Sequence, residues 1–338
     1  MKKSLLIITA HAVLKIGGRC DMSIKILGTG AYVPEKIITN DDLAKLVETD
    51  DEWITQRVGV KERHVSVNET AADFAINAAK EAIKSAGISP DEIDLIIAAS
   101  ISSETLSPTV AGCVQSALGI SCPAFDISSA CSGFLFALDT AVSFIMRGGI
   151  RNALVIGSER LSKLVDWTDR GTCVIFGDGA GAFVVAPGEG YLASMLFTSG
   201  GNEVIEIPSF GGSSPFYTAE HKHPYIFMDG QETFKFAVNK IVNDIKEVAA
   251  KAGITPEQID YVVPHQANIR IIEYASKRLK LPIEKFVINI HKYGNTSAAS
   301  VPMAFDELRK SGKLKKGDKV VMVAFGGGLS SAACLVEW

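Results

Sequence analysis

Continuous apolar runs that alternate with helical segments dominate the chain. The runs at residues 95–99, 153–156 and 320–324 contain no polar side chain. Strands that are buried on both faces have this pattern, because helices cover both sides of the sheet. The alternation predicts an α/β fold with mostly parallel sheets between layers of helices.

One stretch of sequence recurs about half the chain further on. The stretch A-G-I-S-P-D-E-I-D-L-I-I at residues 86–97 matches A-G-I-T-P-E-Q-I-D-Y-V-V at residues 252–263. Each copy predicts a helix that ends at glycine, a Ser/Thr-Pro turn and a buried strand. Two copies this far apart indicate a duplicated domain, with halves at residues 22–190 and 191–338.

The first 21 residues do not fit this pattern. They begin Met-Lys-Lys, and their short apolar run at residues 5–14 contains His11 and is followed by Lys15 and Arg19. A secretory signal would instead end in a small-x-small cleavage site. We interpret residues 1–21 as an extension outside the fold or as a start-site artefact.

Charge and cysteine usage argue against several classes of protein. The net charge is −4 and no long basic run is present, so we expect no nucleic-acid partner. The 6 cysteines are scattered without a C-x-x-C pair, which argues against a zinc site or a disulfide scaffold and fits a reducing cytoplasm. No apolar run approaches the ~20 residues that a membrane span needs, so we expect no membrane insertion.

Cys131 lies where a predicted strand at residues 123–127 meets a predicted helix that begins at about Ser132. A thiolate attacks thioesters readily, and the N-terminus of a helix favours the thiolate, so the position predicts a lowered pKa for Cys131. The same N–H groups can hold the negative oxygen that such an attack creates. An inert structural cysteine is the alternative interpretation.

His265 and Asn295 follow two further predicted strands, at residues 261–264 and 287–290. Active residues gather at the carboxyl ends of strands in such sheets. Both side chains offer N–H donors and neither brings a negative charge, which suits the stabilisation of an enolate. A local hydrogen bond for the histidine and a helix cap for the asparagine are the alternatives, but the joint pattern with Cys131 favours one site.

Several longer motifs carry a resemblance to a known family. They are G-T-G-A-Y-V-P at 28–34, D-E-W-I-T-Q-R at 51–57, T-D-R-G at 168–171, F-G-D-G-A-G at 176–181, V-P-H-Q-A-N-I-R at 263–270, G-N-T-S-A-A-S-V-P at 294–302 and A-F-G-G-G at 324–328. From about Met22 to Trp338 the chain closely resembles β-ketoacyl-acyl-carrier-protein synthase III, the initiating condensing enzyme of type II fatty acid synthesis, in the thiolase-like superfamily. One departure is Ser330-Ser331-Ala332, where the family usually has Thr-Trp-Gly.

The resemblance implies a five-layered α-β-α-β-α sandwich, in which two similar halves are related by a pseudo-twofold axis. It also implies a homodimer that needs no metal or redox cofactor, with acyl-CoA as a substrate.

The resemblance further implies a two-stage condensation. Cys131 accepts an acyl group from acyl-CoA, with the backbone N–H groups of Cys131 and Gly327 as the oxyanion hole. His265 and Asn295 then bond the thioester carbonyl of malonyl-acyl-carrier protein while carbon dioxide departs. Phe325 keeps the departing carboxylate poorly solvated. The carbanion attacks the acylated cysteine and gives β-ketoacyl-acyl-carrier protein.

The family match also implies where coenzyme A binds. Trp53 and Arg170 match positions that clamp the adenine, and an indole face with a guanidinium suits a flat heterocycle. Arg57 is placed to meet a phosphate, while Gly230 and Asn268 match positions near the pantetheine arm. An ordinary solvated helix face is the alternative for Trp53 and Arg57.

Acyl carrier proteins are acidic, so their docking surface on this chain should be basic. Arg270 and Lys235 are the best candidates, together with the segment Gln266, Ala267, Asn268 and Ile269. A separate loop that contains Leu106 and Ser107 matches the segment that walls the acyl pocket across the dimer interface. Acetyl-preferring relatives have phenylalanine just before the proline, so Ser107 predicts acceptance of larger primers.

Four rival interpretations stay open. Chalcone-synthase-like enzymes also use a cysteine, and hydroxymethylglutaryl-CoA-synthase-like enzymes rely on a catalytic glutamate that the sequence does not place. A Cys-His-Asn hydrolase is disfavoured because its C-G-S-C-W context is absent. A non-catalytic acyl-binding protein would not need all three polar residues.

Overall fold

The computed structural model describes residues 23–201, 203–208, 213–218 and 224–338. The predicted extension at residues 1–21 lies outside the described residues. The strands of the described chain are β1 (Ser23–Tyr32), β2 (Ile37–Thr39), β3 (Glu62–His64), β4 (Leu95–Ala99), β5 (Ala124–Ile127), β6 (Ala153–Arg160), β7 (Asp178–Gly188), β8 (Tyr191–Thr198), β9 (Ile205–Glu206), β10 (Ser213–Ser214), β11 (Tyr217–Thr218), β12 (Phe227–Met228), β13 (Tyr261–Pro264), β14 (Lys319–Gly326) and β15 (Ser330–Glu337).

The helices connect these strands and begin at polar caps in several places. They are α1 (Asn40–Leu43), α2 (Asp51–Arg57), α3 (Ala71–Ala86), α4 (Val110–Leu118), α5 (Gly133–Arg147), α6 (Arg170–Cys173), α7 (Gly230–Lys251), α8 (Ile269–Leu279), α9 (Ile290–Tyr293) and α10 (Ser300–Lys310). Short 3₁₀ turns lie between them, and three of these matter below: Ala130–Ser132, Leu161–Lys163 and Ser297–Ala299.

Two mixed sheets form the frame of the molecule. The first has the order β1-β7-β6-β4-β5, and the second has the order β13-β14-β15-β8. Strand β4 runs parallel to β5 and β6, and β13 runs parallel to β14, but the other neighbours in both sheets are antiparallel. The prediction of mostly parallel sheets is therefore wrong. A parallel pair needs a crossover of a dozen or more residues, whereas β14 and β15 are joined by a tight turn and so run antiparallel.

Alternate residues of the central strands face different helix layers. Leu95 and Ile97 of β4 pack with α5, α10 and the second sheet, while Ile96 and Ala98 pack with α3 and α4. The second sheet is also covered on both faces. One face of β14 packs against α5 and α10, and the other packs against α7 and α8. Successive side chains of a strand point to opposite faces of the sheet, so each sheet has a hydrophobic core on both of its faces. The result is the expected α-β-α-β-α order of five layers.

The sequence repeat corresponds to a structural repeat. Helix α3 is followed by Gly87 at φ 68° and α7 by Gly253 at φ 72°, both in the left-handed region that glycine adopts without steric cost. In each copy a capping box, at Ser89 or Thr255, opens a 3₁₀ turn, and a buried strand follows. The repeated helix-turn-strand unit predicted from the sequence is confirmed.

One segment of the described chain has the length and composition of a membrane span. Residues Ala130–Arg147 have a mean hydropathy of 1.3 over 18 residues, and half of this segment is buried inside the protein. The segment contains α5, whose apolar face packs between the two sheets. A helix in the core of a layered fold can have the same length and apolar composition as a membrane span.

Candidate active site

The structure brings the three predicted polar residues to one cavity. Cys131, His265 and Asn295 all line it, although they come from the turn before α5, the end of β13 and the segment after α9. The cavity measures about 960 Å³ including its open mouth, and it extends to Gly230 and Asn268. A nucleophile and two neutral donors thus share one space.

The backbone around Cys131 is closely packed and partly strained. Ala130, immediately before it, has φ 44°, a conformation that residues with a side chain rarely adopt. A Cβ on Gly326 would lie 2.8 Å from the Cβ of Cys131 and 3.0 Å from its Sγ. Only glycine at 326 therefore lets the turn after β14, which includes the predicted oxyanion residue Gly327, approach the thiol.

The thiol of Cys131 does not have the lowered pKa that its position predicts. Burial raises the pKa of Cys131 to about 11, and the negative charge of Glu159 adds to the increase. The Ser297 hydroxyl and the backbone N–H of Cys131 oppose this effect. The cause is tertiary, because desolvation disfavours the thiolate more than the turn favours it.

His265 is a buried, neutral imidazole. Its Nδ1 lies 2.6 Å from Oγ of Ser300, and its ring meets Phe325 edge to face with centroids 5.4 Å apart. Burial lowers the pKa of His265 to about 3. With Nδ1 engaged by Ser300, Nε2 is the nitrogen left for the cavity, and it acts as an uncharged partner.

Asn295 is held by its own loop. Its Oδ1 accepts a hydrogen bond from the backbone N–H of Ser297 at 2.8 Å, which leaves the Nδ2 group as the donor for the cavity. The backbone N–H of Asn295 donates to the carbonyl of Ile175 at 2.9 Å, and Gly177 donates to the carbonyl of Asn295 at 3.0 Å. These bonds connect the loop to the other half of the duplicated fold.

The predicted strand at residues 287–290 is wrong, and Gln266 explains why. The buried Gln266 side chain donates to the carbonyl of Val287 at 3.0 Å and accepts from the backbone N–H groups of Asn289 and Ile290 at 3.0 and 3.1 Å. The Val287 N–H still donates to the carbonyl of Val262 in β13 at 2.9 Å, but the side-chain amide takes the backbone groups that follow, and α9 begins at Ile290. Gln266 is 1% exposed, so the prediction that it contacts a carrier protein is also wrong.

The predicted coenzyme A residues lie around the cavity and beside its mouth. The Arg170 guanidinium lies 4.9 Å from the centre of the Trp53 ring, and its Nη1 donates to the carbonyl of Glu48 at 2.8 Å. Arg57 is exposed, and its carbonyl accepts from Nδ2 of Asn268 at 3.0 Å. The two residues of the predicted adenine clamp are therefore in contact with each other.

The remaining predicted carrier-protein residues differ in exposure. Arg270 is exposed, with its guanidinium 5.7 Å from the centre of the Phe234 ring, and Lys235 is exposed and pairs with Glu232 at 2.7 Å. Ala267 and Ile269 are half-buried. The exposed positive charges thus lie on α7 and at the start of α8.

Leu106 and Ser107 do not line the cavity that contains Cys131. Leu106 is 83% exposed and borders a second cavity, which shares Ile101, Ala130 and Gly327 with the first. Ser107 is exposed at the surface of the same loop. The sequence analysis places this wall across a predicted dimer interface, so the role of the loop in primer choice stays a prediction.

Two buried polar residues near Cys131 were not predicted. Glu159 lies at the carboxyl end of β6, and Ser297 lies two residues after Asn295. Glu159 comes three residues after the apolar run at 153–156, near the carboxyl end of a strand, which is the kind of position that singled out the other site residues. Glu159 does not line the cavity, unlike the catalytic glutamate of a hydroxymethylglutaryl-CoA-synthase-like site.

The segment Ser330-Ser331-Ala332, which departs from the usual family sequence, contacts the start of the active-site helix α5. Ser330 Oγ lies 2.7 Å from Oγ of Ser132 and donates to the carbonyl of Gly327 at 2.7 Å. The Ser330 side chain therefore connects β15 to the turn at Gly327 and to the start of α5.

Comparisons with known proteins identify the family of this chain. Two family descriptions match: 3-oxoacyl-[acyl-carrier-protein] synthase III at residues 125–200 and its C-terminal part at residues 249–338. A relative from Clostridium acetobutylicum named β-ketoacyl-[acyl-carrier-protein] synthase III is 49% identical over 321 residues, which cover 94% of this chain and 99% of the relative. The relative of that name from Aquifex aeolicus is 48% identical over 324 residues, covering 94% and 100%.

Solved structures give the same result. The crystal structure of 3-oxoacyl-[acyl-carrier-protein] synthase III from Aquifex aeolicus has a TM-score of 0.86 at 47% identity and covers 93% of this chain and 100% of that one. The Thermus thermophilus structure has a TM-score of 0.87 at 39% identity and covers 93% and 98%. The fold is that of a thiolase-like condensing enzyme. The chain belongs to the β-ketoacyl-acyl-carrier-protein synthase III family.

Proposed function

We propose that this protein transfers an acyl group from acyl-CoA to Cys131 and condenses it with malonyl-acyl-carrier protein, the initiating step of type II fatty acid synthesis. The observation that carries the proposal is the shared cavity of Cys131, His265 and Asn295. A half-buried nucleophile beside two uncharged donors suits a reaction that first forms a thioester and then an enolate.

In the first stage, Sγ of Cys131 attacks the acyl carbonyl and coenzyme A leaves. The N–H groups of Cys131 and Gly327 hold the negative oxygen of the tetrahedral intermediate, and the close approach at Gly326 supports this arrangement.

In the second stage, His265 and Asn295 bond the malonyl thioester carbonyl while carbon dioxide leaves. A neutral imidazole is appropriate, because the charge that develops is on an oxygen and needs donors. Phe325 presents an apolar ring beside His265 and keeps the malonyl carboxylate poorly solvated, which favours its loss. The carbanion then attacks the acyl group on Cys131.

The same proposal covers the partners of the protein. Trp53, Arg170 and Arg57 receive the nucleotide end of coenzyme A, while Gly230 and Asn268 receive the pantetheine arm. Arg270 and Lys235, beside Ala267, Asn268 and Ile269, receive the acidic carrier protein. We further propose a cytoplasmic homodimer that uses no metal or redox cofactor and is divided after residue 190 into two thiolase-like halves.

Mass spectrometry of the intact protein tests the proposal. Incubation with acetyl-CoA, isobutyryl-CoA or hexanoyl-CoA should add one acyl mass on the peptide that contains Cys131, and Cys131→Ser should abolish it. Malonyl-acyl-carrier protein should then remove the acyl group and yield β-ketoacyl-acyl-carrier protein. Acylation at another cysteine, or unchanged labelling in Cys131→Ser, would refute the assignment.

A further inference from the structure

Arg63 in β3 is a buried cation for which neither half-reaction has a role. It is 0% exposed. Its guanidinium donates three hydrogen bonds, and every acceptor is a neutral oxygen: the Ile38 carbonyl at 3.2 Å, Oδ1 of Asn40 at 2.8 Å and the Val174 carbonyl at 2.8 Å. Nε has no partner among the described residues. A buried charge that is bonded to neutral groups is costly, so its presence calls for an explanation.

The shape of the guanidinium lets Arg63 connect two distant segments. Nη1 bonds the β2 carbonyl and the Asn40 side chain, whereas Nη2 bonds Val174, which lies 111 residues further along the chain. A planar fork with donors on both sides can make these bonds at the same time, and a lysine ammonium cannot reproduce that geometry. Burial lowers the pKa of Arg63 to about 10, which still leaves the side chain protonated at neutral pH.

The segment that Arg63 bonds at Val174 is the segment that holds Asn295. The N–H of Asn295 donates to the Ile175 carbonyl at 2.9 Å, and the N–H of Gly177 donates to the Asn295 carbonyl at 3.0 Å. These two bonds pair Phe176 with Asn295 in a short parallel bridge. The carbonyl that Arg63 bonds and the carbonyl that Asn295 bonds therefore belong to consecutive residues.

Two glycines allow the backbone of both segments to lie against Arg63. A Cβ on Gly177 would lie 2.2 Å from the carbonyl oxygen of Tyr293 and 3.2 Å from the Cβ of Arg63. A Cβ on Gly294, which has φ 64°, would lie 2.7 Å from the carbonyl oxygen of Ile175 and 3.5 Å from the Cβ of Arg63. Arg63 thus lies directly beneath the place where the two segments meet.

We propose that Arg63 is a positioning residue that holds Asn295 where its Nδ2 group donates to the substrate. This inference rests on the proposed function, in which Asn295 bonds the malonyl thioester carbonyl. One side of the guanidinium is anchored to β2 and Asn40, and the other side fixes Val174 and the segment that follows it. A donor to a developing negative charge has to be placed accurately, because a displacement of ~1 Å can cost ~10²-fold in rate.

The other groups of the site are held independently of Arg63. Cys131 lies in the turn before α5, and Gly327 lies in the turn after β14. His265 is oriented by the Ser300 hydroxyl at 2.6 Å. Loss of the guanidinium should therefore displace Asn295 and leave the nucleophile and the imidazole in place.

The coenzyme A side of the cavity also has its own anchor. Nδ2 of Asn40 donates to Oδ1 of Asp51 and to the Val60 carbonyl, both at 2.8 Å, and neither bond involves Arg63. Asp51 is the first residue of α2, the helix that carries Trp53. Acyl transfer from acyl-CoA should consequently survive a change at Arg63, whereas condensation should not.

The test compares the rates of the two half-reactions in the parent and in Arg63→Gln, Arg63→Lys and Asn295→Ala. We expect Arg63→Gln to slow condensation about tenfold to a hundredfold, while acylation of Cys131 by acyl-CoA changes little. Arg63→Lys keeps the charge without the fork, so it should recover part of the lost rate. Arg151→Gln removes an exposed arginine that pairs with Asp94, and this matched control should behave as the parent does.

A double variant with Arg63→Gln and Asn295→Ala distinguishes positioning from a general loss of stability. If Arg63 acts through the Asn295 amide, its loss should cost nothing further once that amide is gone, so the double variant should condense at the rate of Asn295→Ala. A further decrease as large as that of Arg63→Gln alone would overturn the proposal, and so would equal losses in both half-reactions.

Thermal unfolding of each variant completes the test. If neither Arg63→Gln nor Arg63→Lys folds, Arg63 serves the fold as a whole and the positioning role is wrong. Failure of the proposed function would appear separately, in a parent protein that does not acylate Cys131 or does not condense. A parent that performs both steps, with condensation impaired selectively in Arg63→Gln, would support both the function and the inference.

Discussion

The Nδ1 atom of His265 lies 2.6 Å from Oγ of Ser300, the first residue of α10. This contact fixes the orientation of the imidazole ring and leaves Nε2 as the nitrogen that can bond a substrate in the cavity. Since α10 packs between the two sheets, the central layer of the fold determines how the imidazole faces its substrate.

Ser300→Ala should therefore impair condensation through His265. We expect condensation to fall about tenfold, the typical effect of one lost hydrogen bond to a functional group, while acyl transfer to Cys131 changes little. The measurement is the rate of each half-reaction with the thermal midpoint of unfolding. Ser143→Ala, at an exposed position of α5, is the matched control, and equal losses in both half-reactions would contradict the prediction.

His265→Ala and Asn295→Ala should separate the two half-reactions. Both side chains are assigned to the malonyl carbonyl, and the loss of one such donor typically costs ~10²–10³-fold in rate. Condensation should fall by that factor, and acylation of Cys131 by acyl-CoA should survive better. A variant that condenses at the parental rate would show that the residue has another role.

Gly326→Ala should prevent acylation, because the new Cβ would lie 2.8 Å from the Cβ of Cys131. We expect loss of acyl transfer and a lower thermal midpoint, as the turn or the nucleophile has to move. Gly200→Ala is the control, since among the described residues no atom other than those of its chain neighbours lies within 4 Å of a Cβ there. Normal acylation of Gly326→Ala would mean that the turn adapts without cost to the site.

Arg270→Glu should weaken the carrier-protein step more than the coenzyme A step. The exposed guanidinium at the start of α8 would become a negative charge facing an acidic partner. We expect kcat/KM for malonyl-acyl-carrier protein to fall at low ionic strength, and the difference should shrink as salt is added. Arg278→Glu, on the same helix and also exposed, controls for the charge change, so similar losses in both variants would argue against a local docking surface.

Ser107→Phe should narrow the range of primers in the assembled protein. A serine leaves volume that a phenyl ring would fill, and each extra buried methylene contributes ~0.8 kcal/mol to binding. We expect the parent to accept isobutyryl- and hexanoyl-CoA and the variant to shift towards acetyl-CoA, measured as kcat/KM for each. Strong acetyl preference in the parent with no change in the variant would rule the idea out.

Local sequence signals predicted the repeated structural unit and the positions of the main candidate site residues. The helix-turn-strand unit at residues 86–97 and 252–263 follows from glycine, proline and capping residues that act within a few positions. Cys131 and His265 could be chosen because the carboxyl end of a strand is a recognisable place in a sequence.

Only the tertiary structure decided the properties that depend on distant neighbours. The pKa of Cys131 is raised rather than lowered, because desolvation by the packed cavity outweighs the effect of the local turn. Residues 287–290 form no strand, because pairing with β13 stops at Val287 and the side chain of Gln266 bonds the backbone groups that follow. Glu159 lies near Cys131 because β6 packs against the turn at Ser297, and no periodicity within β6 reports that contact. Local signals specify backbone conformation, whereas burial and charge come from chain segments that meet only in the fold.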